Sequence, residues 1–183
     1  WELDFVTQSA RSQEYHQMVS GIGNSLRFID TIGGVTRADL SRVDFYTSHE
    51  ALLLPYEQAM TRRALGSDQW YNLGTHYPWI GDRTRNLDGA HVEYFRGIKN
   101  PIGMKVGPSA SVEQLVSLLN HLNPNREPGR MTLICRFGAS KIRHCLPPLI
   151  EAVKKSQHPV LWAVDPMHGN TITTDDGTKT RHF

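Results

Sequence analysis

The chain has 183 residues, 39% of them hydrophobic and 21% charged, the balance of an ordinary globular protein. With 20 basic and 18 acidic side chains the formal charge is +2, so no polyanionic partner is implied; the spread of the basic residues argues against nucleic-acid binding. No run reaches the roughly 18 apolar residues of a membrane span, no signal peptide opens the chain, and Cys135 and Cys145 lack a paired spacing, which together predict a reduced, cytoplasmic protein.

In chain order, residues 1–6 read as a short strand. Tyr15, Met18, Val19, Ile22, Leu26 and Ile29 have helical spacing over residues 11–30, and Gly33-Gly34 closes that helix. A strand is expected at 43–46, running into Thr47-Ser48-His49-Glu50, then a helix over 51–65 with Pro55 near its first turn and Gly66 beyond its end. Residues 66–85 read as a long loop rich in Trp70, Tyr71, His76, Tyr77, Pro78 and Trp79, and a loop of that length is more often functional than idle. A helix over 87–98 is stopped by Asn100-Pro101. After the strand Ile102-Gly103-Met104, Ser111 and Gln114 form a capping box for a helix whose apolar face is Val112, Leu115, Val116, Leu119 and Leu122. The strand Met131–Cys135 follows, then a helix over 140–156 with Lys154 and Lys155 in its last turn; Pro147-Pro148 predicts a kink or a late start there. The continuous apolar run Val160–Val164 is a strand of the kind covered on both faces. It ends in Asp165-Pro166-Met167-His168-Gly169-Asn170-Thr171.

Alternation of strands and helices means a parallel sheet. Charged groups follow the strands at Glu50, Lys105, Arg136 and His168, with Asp82-Arg83-Thr84-Arg85 between the first two. The last three lie 31 and 32 residues apart, close to one strand–helix–strand unit of roughly 30 residues. Groups carried at the same end of successive parallel strands converge on one pocket, which points to an enzyme. No glycine-rich fingerprint opens any helix, so a dinucleotide fold has no support. The α/β pattern could be held by an open doubly wound sheet or by a (β/α)8 TIM barrel, which needs about 250 residues, and the barrel is favoured. Residues 1–183 would then be its central portion, the first and last strands lying outside. Trp1 at the start and a basic loop before Phe183 fit a piece of a longer protein.

Several of these stretches closely resemble class II 3-deoxy-D-arabino-heptulosonate 7-phosphate (DAHP) synthases, in the same order from about Val43 onward. They are Phe45-Tyr46-Thr47-Ser48-His49-Glu50-Ala51-Leu52; Trp79-Ile80-Gly81-Asp82-Arg83-Thr84-Arg85 with Leu87-Asp88-Gly89-Ala90-His91; Asn100-Pro101-Ile102-Gly103-Met104-Lys105-Val106-Gly107-Pro108; Asp165-Pro166-Met167-His168-Gly169-Asn170-Thr171; and Lys179-Thr180-Arg181-His182-Phe183. The resemblance implies a TIM barrel that condenses phosphoenolpyruvate with erythrose 4-phosphate, the first step of the shikimate pathway, using a divalent metal such as Mn2+ or Co2+. It implies Arg83, with backbone near Asp82, on the phosphate, and Lys105 and Arg136 on the carboxylate and bridging region. His168 would be a metal ligand, Glu50 would position or deprotonate a water, and Asp165 would stand near the aldehyde. Lys179 and Arg181 would reach the second phosphate.

Phosphoenolpyruvate carries nearly three negative charges, and several fixed cations are needed to hold it in a partly dry pocket. Two departures accompany the resemblance. Asp82 stands where the family more often has Glu. The family's remaining metal ligands, a Cys from the first strand and Glu and Asp from the last two, fall outside these 183 residues. On that reading the isolated chain is expected to be inactive, with open sheet edges prone to association, and a homo-oligomer is one partner arrangement. The alternative is a non-catalytic degenerate barrel that binds a phospho-ligand or a partner protein.

Overall fold

The computed structural model describes residues 10–33 and 44–181. The expected strand at 1–6, residues Gly34 and Val43, and His182-Phe183 of the last motif lie outside the described residues. The chain divides into two units, 1–45 and 46–183. Within the first, helix α1 spans Ser12–Gly33, with Tyr15, Met18, Ile22, Leu26 and Ile29 recurring every three or four residues along one stripe.

The second unit is built on five parallel strands: β1 (Ser48–Glu50), β4 (Tyr77–Ile80), β5 (Ile102–Val106), β6 (Met131–Cys135) and β7 (Val160–Val164). They are hydrogen-bonded in that order, so each lies beside its successor in the sheet with no reversal. Helices α3 (Ala90–Gly97), α4 (Val112–Leu122) and α5 (Ile142–Ser156) connect the later strands. Alternation along β5 and β6 sends Ile102, Met104, Val106, Met131, Leu133 and Cys135 to one face. There they form a core with Val92 and Phe95 of α3, Leu115, Leu118, Leu119 and Leu122 of α4, and Leu149 and Val153 of α5. Burial pushes the Cys135 thiol up to about 11, so it is an unreactive thiol of that core. The opposite face carries Glu50, Trp79 and Lys105. Among the described residues no helix is long and apolar enough to cross a membrane.

The capping box is present in its first half: the Ser111 hydroxyl accepts from the Gln114 backbone N–H at 3.1 Å. Helix α5 runs through Pro147 and Pro148 instead of starting after them. The two missing N–H groups would have met the carbonyls of Arg143 and His144, both exposed residues that water can satisfy.

Five expectations need correcting. The first strand lies at Ser48–Glu50, and Asp44–Thr47 before it is not strand. The helix expected over 51–65 is the single stretch α2 (Leu54–Met60), because Thr61 turns extended at ψ 131° and its hydroxyl donates to the Glu57 carbonyl at 2.7 Å. The long loop over 66–85 contains two strands: β3 (Trp70–Asn72) pairs antiparallel with β2 (Thr61–Arg63), which takes up the end of the expected helix, and β4 joins the main sheet. Pro78 is tolerated inside β4 because Tyr77 N–H and Trp79 C=O bond toward β1, so the proline's missing N–H faces β5, where pairing begins only at Trp79. Finally, β7 is an edge strand with Leu161 67% exposed, not a strand covered on both faces. Beyond it, β8 (Thr171–Thr173) and β9 (Lys179–Arg181) form a hairpin where a basic loop was expected.

Candidate active site

The C-terminal ends of the five parallel strands surround a cavity of about 380 Å³ lined by Glu50, Trp79, Gly81, Asp82, Arg83, Lys105, Arg136 and His168. Parallel pairing explains the convergence, since Glu50 is in register with Trp79 and Trp79 with Gly103, two residues before Lys105. Gly81 is needed at the end of β4: a Cβ there would collide with the Glu50 carboxylate, which rests over the turn.

Lys105 is held from two sides. Its ammonium pairs with the Asp165 carboxylate and lies 5.0 Å from the centre of the Trp79 ring, a cation–π distance. The Asp165 Oδ1 accepts the backbone N–H groups of Met167 and His168 at 2.9 and 3.1 Å, while Oδ2 also takes the His168 Nδ1 at 2.6 Å. Burial raises the pKa of Asp165, but Lys105, the two backbone N–H groups and the His168 ring outweigh it and hold the carboxyl well below the usual range. Because the depressed value belongs to the folded state, the stability it contributes is complete above the ordinary value of 3.8 and is lost as pH falls below that. The Asp165 side-chain carboxyl 13C shift in an acid titration should still report an ionised group at pH 3.8; half protonation there would contradict this pairing.

A carboxylate can only accept, so His168 Nδ1 carries the proton; in the neutral ring the lone pair is then on Nε2, and His168 lines the cavity. That orientation is how a carboxylate typically prepares a metal-binding imidazole. His168 therefore fits as one ligand of a divalent cation. Among the described residues no group of three or more His, Cys, Asp or Glu could hold a metal ion, so further ligands would have to come from elsewhere.

The His168 loop is fixed against the loop after β6. Gly138 and Gly169 pack backbone to backbone, both at positive φ (76° and 86°), and Asn170 donates to the Pro166 carbonyl and accepts from the Ala139 N–H, both at 2.8 Å. A Cβ on Gly169 would stand 2.7 Å from the Gly138 nitrogen. Gly169→Ala should cost at least about 1–2 kcal/mol from the left-handed backbone alone, read as a lower urea midpoint; an unchanged midpoint would mean that Gly169 is not held at positive φ against the Gly138 loop.

Arg136 NH1 donates to Asp82 Oδ2 at 2.8 Å, and Arg83, exposed at the cavity mouth, has no carboxylate partner among the described residues. The remaining predicted groups stand apart. Arg181 donates to the Met167 carbonyl at 2.8 Å, behind the His168 loop, and Lys179 is exposed on the same hairpin; neither lines the cavity. Trp79 was missed as a site residue, although an aromatic beside a strand-end lysine is a recognisable cation–π partner. Also missed was the polar cluster behind β1, where buried Glu57 meets His49 Nε2 at 2.9 Å and Asn72 Nδ2 at 2.6 Å; these residues are too scattered in sequence for spacing to link them.

Compared with known proteins, residues 1–183 match the family described as the Class-II DAHP synthetase family. A phospho-2-dehydro-3-deoxyheptonate aldolase of Streptomyces coelicolor is 48% identical over 183 residues, which is 100% of this chain and 40% of the relative. A protein of the same name from Neurospora crassa is 47% identical over 199 aligned residues, covering 100% of this chain and 41% of its own length. A probable chloroplastic one from Catharanthus roseus is 46% identical over 183 residues, with 100% and 37% covered. The chain thus spans about 40% of the length of the curated relatives it matches.

Proposed function

Because this chain belongs to the class-II DAHP synthetase family, we propose that it is the central part of a (β/α)8 barrel that condenses phosphoenolpyruvate with erythrose 4-phosphate, giving DAHP and inorganic phosphate. Support for the barrel comes from five parallel strands in unreversed order whose connecting helices all pack on one face; an open doubly wound sheet reverses order and is covered on both. Two free cysteines, Cys135 and Cys145, fit a reducing cytoplasmic compartment.

The observation that carries the reading is the gathering of Arg83, Lys105 and Arg136 with Glu50 and His168 around one cavity. Arg83 can meet a phosphate edge with two N–H groups, while Lys105 offers a point charge and Arg136 its remaining N–H groups to the carboxylate and bridging oxygen. Held this way, phosphoenolpyruvate presents C3 to the aldehyde carbon of erythrose 4-phosphate. As the C3–C bond forms, water adds at C2, losing a proton that Glu50, in the cavity wall, would accept. The C2–O bond to phosphate then breaks as the C2 hydroxyl gives its proton to the departing phosphate and C2 becomes the ketone, while the proton first taken from water ends on the former aldehyde oxygen as its hydroxyl. Lys105 keeps Asp165 ionised, and Asp165 keeps the His168 proton on Nδ1 at the aldehyde side. A divalent cation such as Mn2+ or Co2+ bound at His168 Nε2 would polarise the aldehyde oxygen.

The test is a phosphate-release assay on the intact protein with both substrates, with and without a chelator. Turnover that needs both substrates and stops on chelation is expected. Phosphoenolpyruvate binding without turnover would favour the phospho-ligand-binding barrel instead.

A further inference from the structure

Asp82 stands in the cavity wall, yet its carboxylate is already satisfied. Oδ2 accepts from Arg136, and Oδ1 accepts from Arg85 Nε and from the Gly107 N–H, both at 3.0 Å. Gly107 makes the approach possible, since a Cβ there would lie 2.5 Å from Asp82 Oδ2. Arg85 is only 5% exposed and does not line the cavity. Its other N–H groups go to Gln114 Oε1 at 2.7 Å and Ser109 Oγ at 2.9 Å, both uncharged. Asp82 is therefore the only carboxylate that this buried guanidinium meets among the described residues, and two arginines share one negative charge.

The charge balance assigns a role. Facing Arg136 alone, Asp82 would cancel the charge that Arg136 needs for an incoming oxyanion. With Arg85 on its other oxygen, the trio keeps a net positive charge, and Arg136, the cationic member that lines the cavity, presents it. We infer that Arg85 is a positioning residue that sets the cavity's affinity for a phosphate-bearing anion by neutralising Asp82. This deepens the reading of the cavity given above and rests on it.

The measurement is calorimetric binding of phosphoenolpyruvate, and separately of inorganic phosphate, to the intact protein. Arg85→Met should weaken both by about tenfold, the effect of one charge acting across a partly buried distance. Removing the offending carboxylate as well, in Arg85→Met with Asp82→Asn, should bring binding back to within about threefold of the parent. Mere loss of packing could not be repaired by a second lesion. Should Arg85→Met fail to fold by circular dichroism, Arg85→Gln keeps a neutral donor at the site and makes the same prediction. Unchanged affinity in the single variant, or a double variant no better than the single, overturns the inference while leaving the proposed reaction intact. A parent protein that binds neither anion overturns both.

Discussion

Lys105→Met is expected to lower kcat/KM for phosphoenolpyruvate by on the order of 10²–10³-fold, the usual loss when a fixed charge is removed from a partly dry site. Two consequences add in this fold. The substrate loses a cation, and Asp165, its side chain 10% exposed, loses the one lysine it pairs with among the described residues. Losing one charged partner from a carboxylate that keeps two backbone N–H groups and an imidazole costs about 1–3 kcal/mol, so the variant should also melt earlier at pH 7. That second loss should shrink in acid, where Asp165 becomes protonated and no longer needs the ammonium. Lys154→Met is the matched control: its ion pair with Glu151 is exposed on both sides, and removal should change stability by less than about 0.5 kcal/mol and leave activity alone. Activity of Lys105→Met within tenfold of the parent would count against a cavity organised around this lysine.

The parts of the fold that could be read from the chain are those whose burial is one-dimensional. Strands β5, β6 and β7 are apolar runs between turn signals, with a charged residue next to the last residue of each (Lys105, Arg136 and Asp165). Their limits, Ile102–Val106, Met131–Cys135 and Val160–Val164, match the expected ones to within two residues. Strand β4 was invisible because Tyr77-Pro78-Trp79-Ile80 has a proline where an interior strand should have a donor. Only the ladder itself shows that the missing N–H points to where pairing has not begun. Hairpin β2–β3 was hidden for another reason: Thr61-Arg62-Arg63 has no apolar face, and its helix-like lead-in is cut short by a threonine hydroxyl. At the cavity, strand-end charges were legible as a set. Their pairings were not, since Lys105 with Asp165 and Arg136 with Asp82 join residues 60 and 54 positions apart.

Asn100→Ala should be among the most destabilising substitutions in the second unit. In the sequence Asn100-Pro101 reads only as the end of a helix. In the fold the Asn100 side chain is 5% exposed and acts as an extra length of strand: Oδ1 accepts the Asn72 N–H at 2.8 Å and Nδ2 donates to the carbonyls of Asn72 at 2.9 Å and Thr75 at 3.3 Å. Alanine leaves at least one buried donor and one buried acceptor without a partner, at about 1–3 kcal/mol each, so a loss of about 3 kcal/mol is expected in urea unfolding. Asn100→Asp sharpens the argument, because it keeps the acceptor toward Asn72 but turns an anion on two carbonyl oxygens. It should be no better than alanine at pH 7 and should recover as the carboxyl protonates. The damage would not stay local, for the tethered segment leads into β4 and so carries Trp79 and Asp82 to the cavity. Amide exchange should quicken first at Asn72 and then along Tyr77–Ile80. A variant that keeps slow exchange at Asn72 would show that water or a neighbour replaces the lost side chain, and that β4 is held by its sheet partners alone.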